Sequence, residues 1–243
     1  MAIIDTKGRP RGKFLNATFR ALNGKCVMQS KSNSQKQTVR TRQAASDFGK
    51  VQSYNKLLRR PIQYALNNNH CKKMYKRLNS LVLKQFHLNE KVPLGQRTFL
   101  NTDLSNLVGF DFNSNSPFNQ YCSLPIKFEK QGNMKLKITI HSFTVNDYFN
   151  FKENISEIKV DLFILHQQFN YQETREYETI NFSVYDNKKV SAKEWIIEFP
   201  LNESLTVIIG QLWCIKKTIT QQAVMINNKD FHPSCILYLD NGI

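Results

Sequence analysis

Basic side chains dominate the groups that could do chemistry in this chain. Lys and Arg number 34 against 19 Asp and Glu, a formal net charge of +15. Their placement is uneven. Residues 1–100 carry 21 bases and three acids, Asp5, Asp47 and Glu90, a balance of +18, whereas residues 101–243 carry 13 bases and 16 acids, a balance of −3. An AT-rich coding bias would account for 24 Lys and 25 Asn, but it would raise Lys throughout and would not empty the first hundred residues of acids. Two groups of bases stand out: Arg9, Arg11, Lys13, Arg20, Arg40 and Arg42, then Arg59, Arg60, Lys72, Lys73, Lys76 and Arg77. Neutralising phosphates needs such charges without fixed spacing, so these are the candidate nucleic-acid contacts. Phe14, Phe19, Tyr54, Tyr64 and Tyr75 are interleaved with them, either to stack on nucleobases or, more commonly at such spacings, as core. No helix-turn-helix, zinc-finger or RNA-recognition signature accompanies the charge, so contact with DNA or RNA is expected to be sequence-independent.

The other reactive groups do not assemble into a motif. There is no Gly-rich phosphate loop, GxSxG, HExxH or EF-hand loop, and no catalytic residues are assigned. His70, His87, His141, His166 and His232 are isolated in sequence. His232-Pro233-Ser234-Cys235 would need Cys214 or another strand residue to complete a metal site, and a core cysteine beside a turn histidine is the commoner arrangement. Neither a metal nor another cofactor is expected. Glu173, Glu176 and Glu178, with Arg175, read as a charged segment that discourages edge pairing rather than as glycosidase carboxylates. Five cysteines, all at least 21 residues apart, form neither a disulfide framework nor a CxxC cage. Cys26 and Cys71 have cationic neighbours that would lower a thiol pKa, but His70 beside Cys71 points elsewhere on a helix.

The elements that must position these groups are legible from period and punctuation. Residues 5–13, with two Gly, one Pro and four bases, read as an extended basic arm. Residues 14–22 and 25–29 flank Asn23-Gly24, the dipeptide suited to a type I′ turn, and predict a hairpin; polar residues 30–37 read as a linker. Ala44, Phe48, Val51, Tyr54 and Leu58 mark one helix stripe, which Pro61 interrupts or restarts. Met74, Leu78, Leu81, Val82 and Phe86 mark a second, with Lys72, Lys73, Lys76, Arg77 and Lys84 off the stripe. After Pro93 the period becomes two, first at Met134, Leu136, Ile138 and Ile140, and again in residues 121–128, 158–166, 179–185, 195–199, 205–215 and 235–239. The chain therefore reads as α+β. A basic arm with a β-hairpin occupies residues 1–38 and a helical pair 39–92, followed by an antiparallel β-sandwich of immunoglobulin-like type over 93–243. The changes in charge, period and turns between Glu90 and Asn101 predict that the β part folds alone.

Gly8, Gly12, Gly24, Arg40, Thr41, Gln43 and Phe48 carry a resemblance to an uncharacterised family of bacterial domain-of-unknown-function proteins. Those proteins also begin with a glycine-rich basic segment, continue with a helix start of this kind and end in β structure. The motif covers about the first sixty residues and the layout covers the rest; the resemblance implies no activity. A basic arm joined to a β-sandwich is also similar in layout to phage and virion structural proteins. The function expected is a non-enzymatic structural or assembly protein of a large complex such as a phage or virus-like particle. Its basic half would meet nucleic acid or an acidic neighbour, and Phe14, Phe19 and Val27 would form the subunit interface. The alternatives are a cytosolic nucleic-acid-binding regulator and an enzyme acting on a polyanion. No apolar run approaches the ~20 residues of a membrane span, and the polar N-terminus is no secretory signal. The partners expected are other copies or other assembly subunits, and DNA or RNA bound without sequence preference, with no membrane, in the cytoplasm or in a particle assembled there.

Overall fold

The structure, a computed structural model, describes residues 2–30, 36–132, 135–151, 155–169, 175–198, 204–218, 220 and 222–241. Met134, Phe199, Glu173 and residues 31–35 of the expected linker lie outside them. The chain forms two compact units, Met1–Arg42 and Gln43–Ile243.

The first unit is a four-stranded antiparallel meander, β1 (Ala2–Ile4), β2 (Pro10–Phe14), β3 (Ala17–Leu22) and β4 (Lys25–Ser30). Asn23 and Gly24 both take positive φ, 49° and 77°, between the paired residues Leu22 and Lys25, which makes the expected two-residue turn. The expected extended arm is corrected. Asp5 gathers the backbone N–H groups of Lys7 and Arg9 and the Arg11 guanidinium, each at 2.9 Å, and so closes a turn that returns the chain as β2. The hairpin's first arm is also divided, since Leu15 and Asn16 form a turn between Phe14 and Ala17.

The second unit begins with α1 (Val39–Ala65), whose first turn lies before the division, and α2 (Met74–Leu88). Thr38 Oγ1 accepts the Thr41 N–H at 3.2 Å, a side-chain cap for α1. Pro61 does not end α1: it lies buried inside it, and the helix stops only at Ala65, followed by Asn67 and Asn68 in the left-handed region. The buried stripe is Asp47, Val51, Asn55, Leu58, Pro61, Ile62 and Ala65, whereas Ala44 and Phe48, expected on it, are exposed. Asn79 receives Asn55 Nδ2–H on its Oδ1 at 2.6 Å and donates to Gln52 Oε1 at 3.0 Å, while Arg59 lies over Tyr75. Positions thus rise along α1 as they fall along α2, which makes the pair antiparallel.

The β elements follow in the order β5 (Ile126–Gln131), β6 (Lys135–Ile140), β7 (Phe143–Thr144), the one-turn α3 (Val145–Tyr148), β8 (Ile155–Gln168), β9 (Arg175–Tyr185), β10 (Lys189–Val190), β11 (Lys193–Glu198), β12 (Ser204–Lys217), β13 (Ala223–Met225) and β14 (Ser234–Asp240). β9, β8 and β12 pair in that order, and β12 pairs on its other side with β14 and then β13. A three-stranded sheet has the order β11-β6-β5, and β7 pairs with β10. All these pairings are antiparallel. They show a fold of several antiparallel sheets and do not show an immunoglobulin-like order.

The central sheet is buried on both faces. Phe163, Leu165, Leu205, Val207 and Ile209 meet Val51, Leu58, Met74, Leu78, Val82 and Phe86 of the helices. On the other face Leu162, Ile164 and Ile208 meet Leu136, Ile138 and Ile197 of the three-stranded sheet. Further along that face, Ile158, Val160, Leu212 and Cys214 pack with Phe118, Tyr121, Phe143 and Phe149. The helices therefore complete the core of the β part, and one hydrophobic cluster runs across residues 90–101.

Candidate nucleic-acid interface and assembly face

In the N-terminal sheet, residues directly opposite across an antiparallel ladder share a face, so the register sorts every side chain. The pairs Ile4–Pro10, Phe14–Ala17, Gly12–Phe19, Phe19–Met28 and Ala21–Cys26 place Ala2, Ile4, Phe14, Phe19 and Met28 on one face, which carries no charged residue. The pairs Ile3–Arg11, Lys13–Thr18, Arg20–Val27 and Leu22–Lys25 define the other, with four bases and no acid. No described residue of the four strands is buried, and Ile4, Phe14 and Met28 are 75%, 60% and 67% exposed. The sheet is amphipathic but has no core of its own. Of the expected interface residues, Phe14 and Phe19 share the apolar face, and Val27 stands on the basic one. Arg11, Lys13 and Arg20 share the basic face, although Arg11 is ion-paired with Asp5 at 2.9 Å. Arg9 lies in the β1–β2 turn and donates to the Gly24 carbonyl at 2.7 Å. Arg40 and Arg42 are exposed in the first turn of α1.

The helical layer of the second unit offers another basic surface. Residues 39–88 include a single acid, Asp47, which is buried and faces Arg97 at 3.7 Å. Lys73, Lys76, Arg77, Ser80, Leu81 and Lys84 line a shallow groove of about 480 Å³ along α2. Lys72, Lys73, Lys76, Arg59 and Arg60 are exposed, and Arg59 lies 4.6 Å over the Tyr75 ring, which brings an α1 guanidinium to the start of α2. Arg77 is committed elsewhere: it donates to the Asp111 carbonyl at 2.6 Å and to Cys71 Sγ at 3.4 Å, and packs on Phe110. It is a structural cation that borders the groove.

Past the C-terminal end of α1, the helix-facing side of the central sheet turns polar. β8 continues from Phe163 to Asp161 and Lys159, and β12 continues from Ile209 to Gln211 and Trp213, with Gln211 directly opposite Asp161. These residues floor a cavity of about 660 Å³ whose wall includes Arg60, Tyr64 and Phe163. Asp161 Oδ1 is buried without a hydrogen-bond partner, and Lys159 Nζ approaches it only to 3.7 Å. Burial raises the Asp161 pKa, against the charge of Lys159 and a hydrogen bond from the Trp213 indole N–H, which lower it. Behind the floor, His232 is fully buried between Asn227, 2.8 Å from Nδ1, and Gln211 Oε1, 3.3 Å from Nε2. This polar floor was missed in the sequence reading; the signal was a carboxylate within the otherwise apolar run Val160–Leu165.

The remaining candidates resolve by position. Cys26 is exposed, and the other four cysteines are buried and free. Burial opposes ionisation of Cys71, but hydrogen bonds from Ser114 and the Arg77 guanidinium outweigh it and bring its pKa to about 7. His70 turns its ring to Tyr75 and forms no dyad with that thiol. Burial pushes the Cys214 thiol up to about 12, and no group of three His, Cys, Asp or Glu among the described residues could hold a metal ion. Glu176 and Glu178 lie within β9, the edge strand of the central sheet, where charge opposes pairing with another chain. Among the described residues no helix is long and apolar enough to cross a membrane. Comparison of the chain with protein-family models, curated proteins and solved structures finds no match.

Proposed function

We propose that this protein is a non-enzymatic assembly subunit whose copies join through the N-terminal sheet and whose basic surfaces meet a polyanion, most simply nucleic acid, as in a phage or virus-like particle. The observation that carries this reading is the sheet with one uncharged apolar face, one basic face and no core. The apolar face of this sheet leaves Ile4, Phe14 and Met28 largely exposed, and burying a side chain such as Phe, Met or Ile is worth about 1.5–3 kcal/mol. A second copy of the same sheet fits the apolar face, because stacking the two buries no charge and turns Lys13, Arg20 and Lys25 outward on both sides. A polyanion finds no cation on the apolar face and is directed to the opposite one. The helical layer, whose one acid, Asp47, is buried, supplies a further phosphate-binding surface, with Lys72, Lys73, Lys76, Arg59 and Arg60 as its contacts.

Light scattering tests this reading. The wild type is expected to be multimeric, and Phe19→Asp to lower the mass without moving the unfolding transition of the Gln43–Ile243 unit. Val27→Asp, which places the same charge on the basic face, is expected to keep the mass. A wild type that stays monomeric at high concentration, or equal masses for wild type and Phe19→Asp, overturns it.

A further inference from the structure

The cavity beyond α1 is large enough for a small ligand, since such sites run from about 300 to 1,000 Å³, and its floor specifies what that ligand must present. The Asp161 carboxylate is buried, with the residue 8% exposed; the Trp213 indole N–H hydrogen-bonds it, and its Oδ1 is left without a partner. Lys159 at 3.7 Å offsets the charge but is beyond hydrogen-bonding distance. An acceptor held dry in this way calls for an N–H donor from outside. A cationic ligand fits poorly, because Lys159 lies 3.7 Å from the one carboxylate among the lining residues and Arg60 adds a second cation to the lining.

The next group along the floor has its polarity set from behind. Asn227 Oδ1 accepts the Cys214 N–H at 2.7 Å and its Nδ2 donates to the Leu212 carbonyl at 2.8 Å, which fixes that amide. Its Nδ2 therefore faces His232 Nδ1 as a donor, which leaves the histidine proton on Nε2, facing Gln211 Oε1. With its oxygen on the histidine, Gln211 has its NH2 group left to donate. The floor thus offers an acceptor at Asp161 beside a donor at Gln211, across one register pair. Tyr64, 68% exposed, supplies a flat wall.

We propose that this cavity binds guanine nucleotides: adjacent N1–H and N2–H donors of the base on Asp161, its O6 on the Gln211 amide, the ring against Tyr64, and the phosphate on Arg60. Adenine reverses this donor and acceptor order, and uracil lacks the paired donors. The site stands without the assembly reading; only the source of the nucleotide, free or within a strand, rests on the nucleic-acid surface proposed above.

Calorimetric titration of the full chain with GMP and AMP tests the site. Saturable GMP binding is expected, with AMP weaker by about tenfold or more, and with Asp161→Asn losing a similar factor while its melting temperature shows it folded. Arg60→Glu, at an exposed helix position, is expected to weaken GMP as well. Absence of GMP binding at millimolar concentration, equal GMP and AMP affinities, or an Asp161→Asn affinity equal to wild type overturns the proposal. Oligoguanylate and oligouridylate separate the sources. Preference for the guanine strand that Asp161→Asn abolishes assigns a strand base, whereas GMP binding with no strand preference assigns the free nucleotide. GMP binding with no oligonucleotide binding at low salt sustains the site and removes the nucleic-acid surface.

Discussion

Acid should loosen the Gln43–Ile243 unit through His232. This ring is fully buried, 4.6 Å from Trp213, and burial lowers its pKa from 6.5 to about 4. Its Nδ1 receives the Asn227 amide N–H, and that amide cannot turn over without losing both backbone partners, Cys214 and Leu212. A second ring proton would therefore point at another N–H in a dry site. Because the folded pKa lies below the unfolded one, the stabilisation is fully present above about pH 6.5. It is lost as pH falls towards about 4, where the folded protein also takes the proton. At about 1.4 kcal/mol per pH unit, the loss is about 2 kcal/mol by pH 5 and about 3 kcal/mol by pH 4. The assay is urea unfolding of wild type and His232→Gln from pH 7 to pH 4, followed by tryptophan fluorescence. Asp161, the nearby carboxylate, has a raised pKa that acts in the opposite direction but is common to both proteins and cancels in their difference. The stability difference between the two proteins should shrink by about 3 kcal/mol across this range; parallel profiles would refute the reasoning.

Two further outcomes follow from the core. Asp47→Ala leaves Arg97 buried without its partner and should cost about 3–5 kcal/mol in denaturant unfolding, most of it recovered in Asp47→Leu/Arg97→Met. A fragment beginning at Asn101 exposes Phe163, Leu165, Leu205, Val207 and Ile209 and should show no cooperative melting by circular dichroism; co-expressing residues 39–100 should restore it.

Where the local pattern and the final environment agree, the chain is readable. Leu136, Ile138 and Ile140 alternate with exposed or half-buried residues and do form the inward face of β6. Asn23-Gly24 turns as its backbone preferences require, and Met74, Leu78, Val82 and Phe86 are the buried stripe of α2. α1 is harder because its inward positions include Asp47 and Asn55, which hydrophobic periodicity assigns to solvent. Asp47 is inside because Arg97 meets it, and Asn55 because Asn79 on the other helix completes its hydrogen bond. The amphipathy of the N-terminal sheet needed the register, since Phe14 joins Phe19 on one face only once Leu15 and Asn16 are known to form a turn. The cavity was least visible. Asp161 acquires its meaning from Gln211 and Trp213 on another strand and from His232 behind them, residues that sequence spacing does not connect.

The packing of the helices on the central sheet also sets a timetable. Val51 and Leu58 of α1 close onto Leu205, Val207 and Ile209 of β12, so the first partners to be synthesised precede the last by about 150 residues. At roughly 5–20 residues per second, ribosomal synthesis leaves the helical stripe without its floor for about 8–30 s. The helices are local structures, yet their burial depends on distant strands, so this layer takes on the slow folding of a β-sheet. During that interval the positive charge of Lys56, Arg59, Lys72, Lys73 and Lys76, all exposed and off the buried stripe, keeps nascent copies apart.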